Sequence, residues 1–257
     1  MFPNTKRDIV FPIIGSVVLF VILIGGGLIY QTVIGNGSAE RLITTMLINA
    51  IIVIGIQIYI GNTGILSFGH IGFGAIAGYA FAVYAISPDE KLKRIPNAPF
   101  GLAETQVSPI FAILIAVGVA LLFAFIVGIG LARSGAQSGA VAATVITLAV
   151  LFVTHEVAKS WPELTGGNRG GVSFAIGASL GSRWPILLVL FAALVVARLY
   201  GQSRSGRLAI AAREDNLAAR AMGVNPLVQQ MVALLLSVTV VAVGSSLRVW
   251  QIGSILP

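Results

Sequence analysis

The sequence predicts an all-α fold: a polytopic transmembrane helical bundle of about seven membrane helices, plus one charged helix outside the membrane. Composition is the first reason. Hydrophobic residues make up 57% of the chain and charged residues only 10%, against roughly 25% charged in an ordinary soluble domain. Patterning is the second. Long uncharged stretches alternate with short segments that hold nearly all the Lys, Arg, Asp and Glu, whereas a soluble helical protein spreads charge along every surface helix.

A spanning helix needs about 20 apolar residues to cross roughly 30 Å of hydrocarbon. Segments 9–34, 42–60, 71–88, 109–131, 140–158, 185–200 and 227–247 meet that requirement. Lys6 and Arg7 ahead of the first resemble a signal-peptide opening. A signal's apolar core spans only about 7–15 residues, whereas 9–34 is uncharged throughout, so a retained anchor is expected. The connections are short except at 89–108, 159–184 and 201–226, and none separates two domains, so 1–257 reads as a single unit. Placing the Arg-rich segment 201–226 in the cytoplasm puts the N-terminus and 132–139 on the same side and 89–108 and 159–184 outside. The basic residues then divide evenly between the faces, and the positive-inside rule does not choose.

The net charge of +7 fits basic loops against anionic headgroups. Nucleic acid is not expected as a partner, since no basic stripe interleaves with aromatic residues. With no cysteine, disulfides and thiolate metal sites are excluded. There is no G-x-x-x-x-G-K-[ST] loop to hold ATP phosphates. His155-Glu156 is followed by Lys159 where a zinc-binding H-E-x-x-H helix needs histidine. No nucleophile, base and orienting group occur together, so the expectation is a non-enzyme with no catalytic residue, metal or cofactor.

Three segments carry information beyond hydropathy. Gly61-Asn62-Thr63-Gly64-Ile65-Leu66-Ser67-Phe68-Gly69-His70 interrupts an apolar region with glycines and small polar residues. Backbone that leaves helical geometry at membrane depth must be buried in protein or line a cavity. This stretch is therefore either a broken or re-entrant segment lining a pathway, with Asn62, Thr63, Ser67 and His70 as solute contacts, or a tight turn followed by a closely packed helix. In 203–226, alanine richness predicts a helix over about 211–222. Gly223 marks its stop, and Asn225-Pro226 the cap and first turn of the next helix. Its charges find no partner at i,i+4, so Arg213, Glu214, Asp215 and Arg220 are left for water or for another protein. Trp161 through Val172, with four glycines and one proline, reads as a structured outer loop.

Taken in order, these segments resemble the permeases of branched-chain amino acid ABC transporters, in particular the second of the two paired permease types. The resemblance rests on Gly61 through His70, on Gly139-Ala140-Val141-Ala142-Ala143-Thr144-Val145-Ile146-Thr147-Leu148, and on Thr165-Gly166-Gly167-Asn168-Arg169-Gly170. The most specific match is Ser205-Gly206-Arg207 through Arg213-Glu214-Asp215-Asn216-Leu217-Ala218-Ala219 and Met222-Gly223-Val224. It covers about residue 40 onward. It implies a subunit that moves branched-chain amino acids or a related small polar solute by ATP-driven alternating access. It also implies a multi-pass protein of the cell inner membrane with a cytoplasmic N-terminus. The implied partners are the lipid bilayer, a second homologous permease, two cytoplasmic ATPase subunits and an extracytoplasmic solute-binding protein. In that family the stretch matching 205–224 is the cytoplasmic loop that contacts the ATPase, which favours a docking role for Arg213, Glu214, Asp215 and Arg220. Two departures stand out. The family pattern continues through further helices where this chain ends at Pro257, so a truncated chain or a short variant is expected; and Arg248 places a charge where the family is apolar. The competing readings are a secondary transporter or channel working without an ATPase, and a structural scaffold.

Overall fold

The computed structural model describes residues 5–35, 37–166, 172–173 and 183–255. Much of the Thr165–Gly170 motif therefore lies outside the described residues. Helix α1 (Thr5–Ile34) leads into α2 (Gly37–Thr63) and α3 (Gly69–Ala85), followed by the short α4 (Pro88–Arg94) and a 3-10 turn at Pro99–Gly101. Then come α5 (Pro109–Ser160), α6 (Pro162–Thr165), strand β1 (Val172–Ser173), α7 (Trp184–Gln202), α8 (Arg204–Glu214), α9 (Asn216–Ala221), α10 (Pro226–Ile252) and strand β2 (Ser254–Ile255). The two-residue strands pair antiparallel with each other.

Six segments among the described residues are long and apolar enough to cross a membrane: Val10–Val33, Ala39–Thr63, Pro109–Leu131, Val141–Ser160, Trp184–Gln202 and Pro226–Ile252. The seventh predicted span, 71–88, forms the shorter α3, whose 17 residues lie at the lower limit for a crossing. α3 stops because Ile86 and Ser87 are extended ahead of Pro88, as residues before proline tend to be.

The predicted spans 109–131 and 140–158 lie in one helical element of 52 residues, which as a straight rod would measure about 78 Å. It is not straight. Val107 N–H donates to Tyr84 O at 3.0 Å at one end of α3, while Phe68 N–H donates to Thr147 Oγ1 at 3.2 Å at the other. Contacts of Gly69 with Thr147 and of Gly72 with Leu151 and Thr154 carry the second half of α5 along α3 in the same direction. The first half runs the other way beside α10, with Gly128 against Met231 and Leu234. Each half is thus a separate crossing, as predicted.

In lipid, helices associate through close packing and hydrogen bonds rather than hydrophobic exclusion, so small residues gather at the seams. Ala112, Ala116, Ala120 and Ala124 form a fully buried ladder along α5, in the core shared with α3 and α10. Gly55 and Gly244 bring α2 and α10 together: a Cβ on Gly55 would stand 2.8 Å from Val241 Cγ2, and one on Gly244 2.8 Å from Ile52 Cγ1. Ser237 Oγ donates to Gly55 O at 2.6 Å across this seam. A second core joins Ile43, Leu47, Ile48 and Ile51 of α2 to Ile186, Leu190, Ala193 and Leu194 of α7. α1 is the peripheral helix. It is held by Ser16 Oγ donating to Leu194 O at 3.3 Å, by the Phe20–Phe191 ring pair, and by Arg183 Nη1 donating to Gln31 Oε1 at 3.1 Å.

These contacts sort the connections onto two faces. One carries the start of α1, the α2–α3 turn, the end of α7, and α8 and α9; the opposite face carries α4, α6 and the β1–β2 pair. On that second face Lys91 is buried, its Nζ donating to Leu102 O at 2.8 Å and to Thr105 O. Burial pushes its pKa down to about 8. α10 runs past the predicted end at 247 to Ile252, which draws Arg248 into the helix.

Candidate functional site: the α2–α3 turn and the segment against it

α2 ends where Gly64 takes the left-handed conformation, φ +71°, and donates its N–H to Ile60 O at 2.9 Å. The four predicted pathway residues are brought together here, all buried. Asn62 Nδ2 donates to Ile58 O at 2.7 Å. Thr63 Oγ1 donates to Tyr59 O at 2.8 Å and accepts from Ile65 N–H at 3.3 Å. Ser67 Oγ lies 2.8 Å from His70 Nδ1, and the His70 ring is packed between Tyr59 and Phe73 with centroids 5.2 and 6.2 Å away. His70 Nε2 is buried with no hydrogen-bond partner. The geometry is a tight turn followed by a closely packed helix, with most of these polar atoms engaged by the turn itself.

Two residues of the Gly139–Leu148 stretch, to which the sequence assigned no role of their own, hold the turn from α5. Thr144 Oγ1 donates to Leu66 O at 3.0 Å. Thr147 Oγ1 accepts from Phe68 N–H at 3.2 Å and donates to Thr144 O at 2.8 Å. The available signal was a pair of threonines at i,i+3 in an otherwise apolar helix, opposite a turn whose backbone groups lipid cannot satisfy.

From the other side the turn is held by α8. Ser203 caps that helix, its Oγ accepting from Gly206 N–H at 3.1 Å. Gly206 has no alternative, because a Cβ there would lie 2.0 Å from Tyr200 O. Near the end of α8, Arg213 Nη1 donates to Gly61 O at 2.7 Å and its Nε donates to Glu214 Oε1 at 2.9 Å. The Arg213 side chain crosses the space a Cβ on Gly64 would fill, with Cγ and Cδ 2.6 and 2.7 Å from that point.

The helix predicted over about 211–222 is in fact two. Asp215, with φ −147° and ψ 104°, ends α8, and its Oδ1 accepts from Leu217 and Ala218 N–H at 2.9 Å each, capping α9. A side chain that competes for backbone donors in this way outweighs alanine propensity. Gly223 (φ +80°) stops α9, and Asn225 Oδ1 caps α10 from Leu227 N–H at 3.1 Å, as predicted. Of the four residues expected to be free, Arg213 is committed to the turn, Glu214 to Arg213 and Asp215 to its cap. Arg220 remains exposed, and beside it the apolar Leu217 and Met222 are 80% and 85% exposed.

Long apolar helices joined through small-residue seams, with a charged segment locked onto one end, define a multi-pass membrane protein. Over residues 38–257 the chain matches the family model of the permease component of the branched-chain amino acid transport system, and it belongs to that family. No curated protein and no solved structure matches it.

Proposed function

We propose that this chain is the membrane-spanning subunit of an ABC importer for branched-chain amino acids or a related small polar solute, working by ATP-driven alternating access. It pairs with a homologous permease and receives solute from an extracytoplasmic binding protein, and two cytoplasmic ATPases dock on the helices of the pair. It sits in the cell inner membrane with its N-terminus and the α8–α9 face in the cytoplasm.

The observation that carries this reading is the Arg213 bridge. α9 and the residue that follows it offer Leu217, Arg220 and Met222 to a partner, while α8 is tied through Arg213 to the α2–α3 turn, and that turn through Thr144 and Thr147 to α5. A displacement of α8–α9 is thereby delivered to three membrane helices. Such coupling is a two-state bias, and ATP drives it by favouring one state. In this scheme Asn62, Thr63, Ser67 and His70 form the transmitting turn, Glu214 and Arg220 face the ATPase, and Asp215 keeps α9 in shape.

The test replaces Arg213 and Glu214 together by alanine in the assembled transporter. Solute-stimulated ATPase activity is expected to vanish while the subunits still co-purify and the helical fold persists. Stimulation that survives the double change refutes the mechanism. Solute movement by this chain reconstituted alone points instead to a secondary transporter or channel.

A further inference from the structure

Arg248 is a charged residue that this scheme does not use. Arg248 belongs to α10, on the half of the bundle opposite α8 and α9. Its neighbour Val249 touches Gly78, a Cβ there lying 3.1 Å from Val249 Cγ2. Gly78 stands about two turns, roughly 10 Å, before the end of α3. The guanidinium is therefore inside the membrane-spanning part of the fold, not in a loop beyond it.

Arg248 is half-buried and leans across the α2–α10 seam, where Nη1 donates to Oδ1 of the exposed Asn49. Asn49 continues a stripe on α2, four residues apart at each step: Arg41, Thr45, Asn49. Gln251 of α10 joins it, donating from Nε2 to Thr45 Oγ1 at 3.1 Å and to Arg41 O at 3.3 Å, and its Oε1 is buried without a donor. No acidic side chain pairs with Arg41 or Arg248 among the described residues; Glu40 on the adjacent position is engaged by Arg183 at 2.8 Å. Intramembrane ionisable groups face a protein interior or a water-filled cavity rather than lipid, and they mark solute pathways. Met46 and Val53, both exposed, flank Asn49 at i−3 and i+4 and give the stripe an apolar border.

We infer that this stripe is an anion subsite on the outer half of the solute pathway, with Arg248 and Asn49 receiving the carboxylate of an aliphatic amino acid and Met46 and Val53 lying against its side chain. A planar guanidinium with free donors matches a carboxylate in a way an ammonium does not. The inference rests on the permease reading above, because it takes that reading's substrate class.

The chain has no cysteine, so Thr45→Cys in the assembled transporter places a single reporter thiol in this subunit, one turn outside Asn49, and leaves both carboxylate contacts in place. The probes are the anionic sulfonatoethyl and the cationic trimethylammonioethyl methanethiosulfonates. The anionic reagent is expected to react about tenfold faster or more, leucine to slow it, leucinamide not to, and a second change, Arg248→Leu, to abolish both preference and protection. If Thr45→Cys does not assemble, Leu42→Cys, exposed on the same face of α2, is read by the same criteria. Silence toward both reagents, equal rates, or a preference indifferent to Arg248→Leu overturns the inference. So does a failure of leucine to protect in a transporter whose ATPase leucine still stimulates. An Arg248-dependent preference in a transporter with no stimulated ATPase supports the anion site and removes the importer reading instead.

Discussion

Replacing Gly64 by alanine tests the Arg213 bridge quantitatively, because two separable effects meet at one atom. The first is backbone strain. Gly64 sits at φ +71°, and an L-residue there costs about 1–2 kcal/mol. The second is a collision. The new methyl would stand 2.6 Å from Arg213 Cγ, so the arginine must withdraw and release Gly61 O. A hydrogen bond to a charged donor contributes about 1.5–3 kcal/mol, but the Arg213 side chain is 37% exposed, and water returns much of that; about 1 kcal/mol is a fair allowance. Gly64→Ala should therefore destabilise the wild-type fold by about 2–3 kcal/mol, and the same change in an Arg213→Ala background by only the strain, about 1–2 kcal/mol. Reversible unfolding in mixed micelles, measured on all four members of the cycle, gives the coupling as a difference of about 1 kcal/mol. Strict additivity would mean that the arginine does not lie across the turn, and a cost below about 0.5 kcal/mol in both backgrounds would mean that Gly64 is not strained.

Three further outcomes follow from the same geometry. Asp215→Ala removes two backbone acceptor contacts from α9; the helix should lose about 1 kcal/mol, visible as faster amide exchange at Leu217 and Ala218, with Asp215→Asn retaining most of the protection. Thr147→Val keeps the side-chain shape but leaves Phe68 N–H without its acceptor, and should cost about 1–3 kcal/mol, whereas Thr147→Ser should cost much less; equal costs would remove Thr147 from the account of the turn. Lys91 is the pH-sensitive element of the opposite face: its pKa falls from 10.5 to about 8 in the fold, so between those values the unfolded chain holds a proton that the folded chain has released. Stability must then rise as pH climbs through that window and stay level, at its lower value, beneath it, and the melting temperature of wild type relative to Lys91→Met should increase from pH 8 toward 10.5.

Much of this architecture is written locally. The spans are legible because about 20 uncharged residues in lipid have almost no structural option except a helix. Gly223, Asn225 and Pro226 are legible because stops and caps are chemistry of adjacent residues. What escaped the sequence is what depends on distant partners. Arg213 looks unpaired when only i,i+4 neighbours are considered, yet its acceptor is a backbone carbonyl on Gly61, 152 positions away. Thr144 and Thr147 look like ordinary helix residues until the turn they bond to, 78 and 79 positions earlier, is set beside them. The split at Asp215 was hidden by its alanine surroundings, and the length of α3 by the strength of hydropathy over 71–88, which says nothing of where Pro88 will force the chain to turn. Asn62, Thr63, Ser67 and His70 lie together at one turn, but their hydrogen-bond partners could not be read from residue type.

The alanine ladder of α5 has a mechanical corollary. Interlocked leucines or phenylalanines act as teeth: one helix can move along another only if rotamers are abandoned and rebuilt. Methyl groups have no rotamers to abandon. The seam formed by Ala112, Ala116, Ala120 and Ala124 is a smooth rail, close enough to hold its neighbours tightly yet bare of anything that would have to be unlatched when they shift.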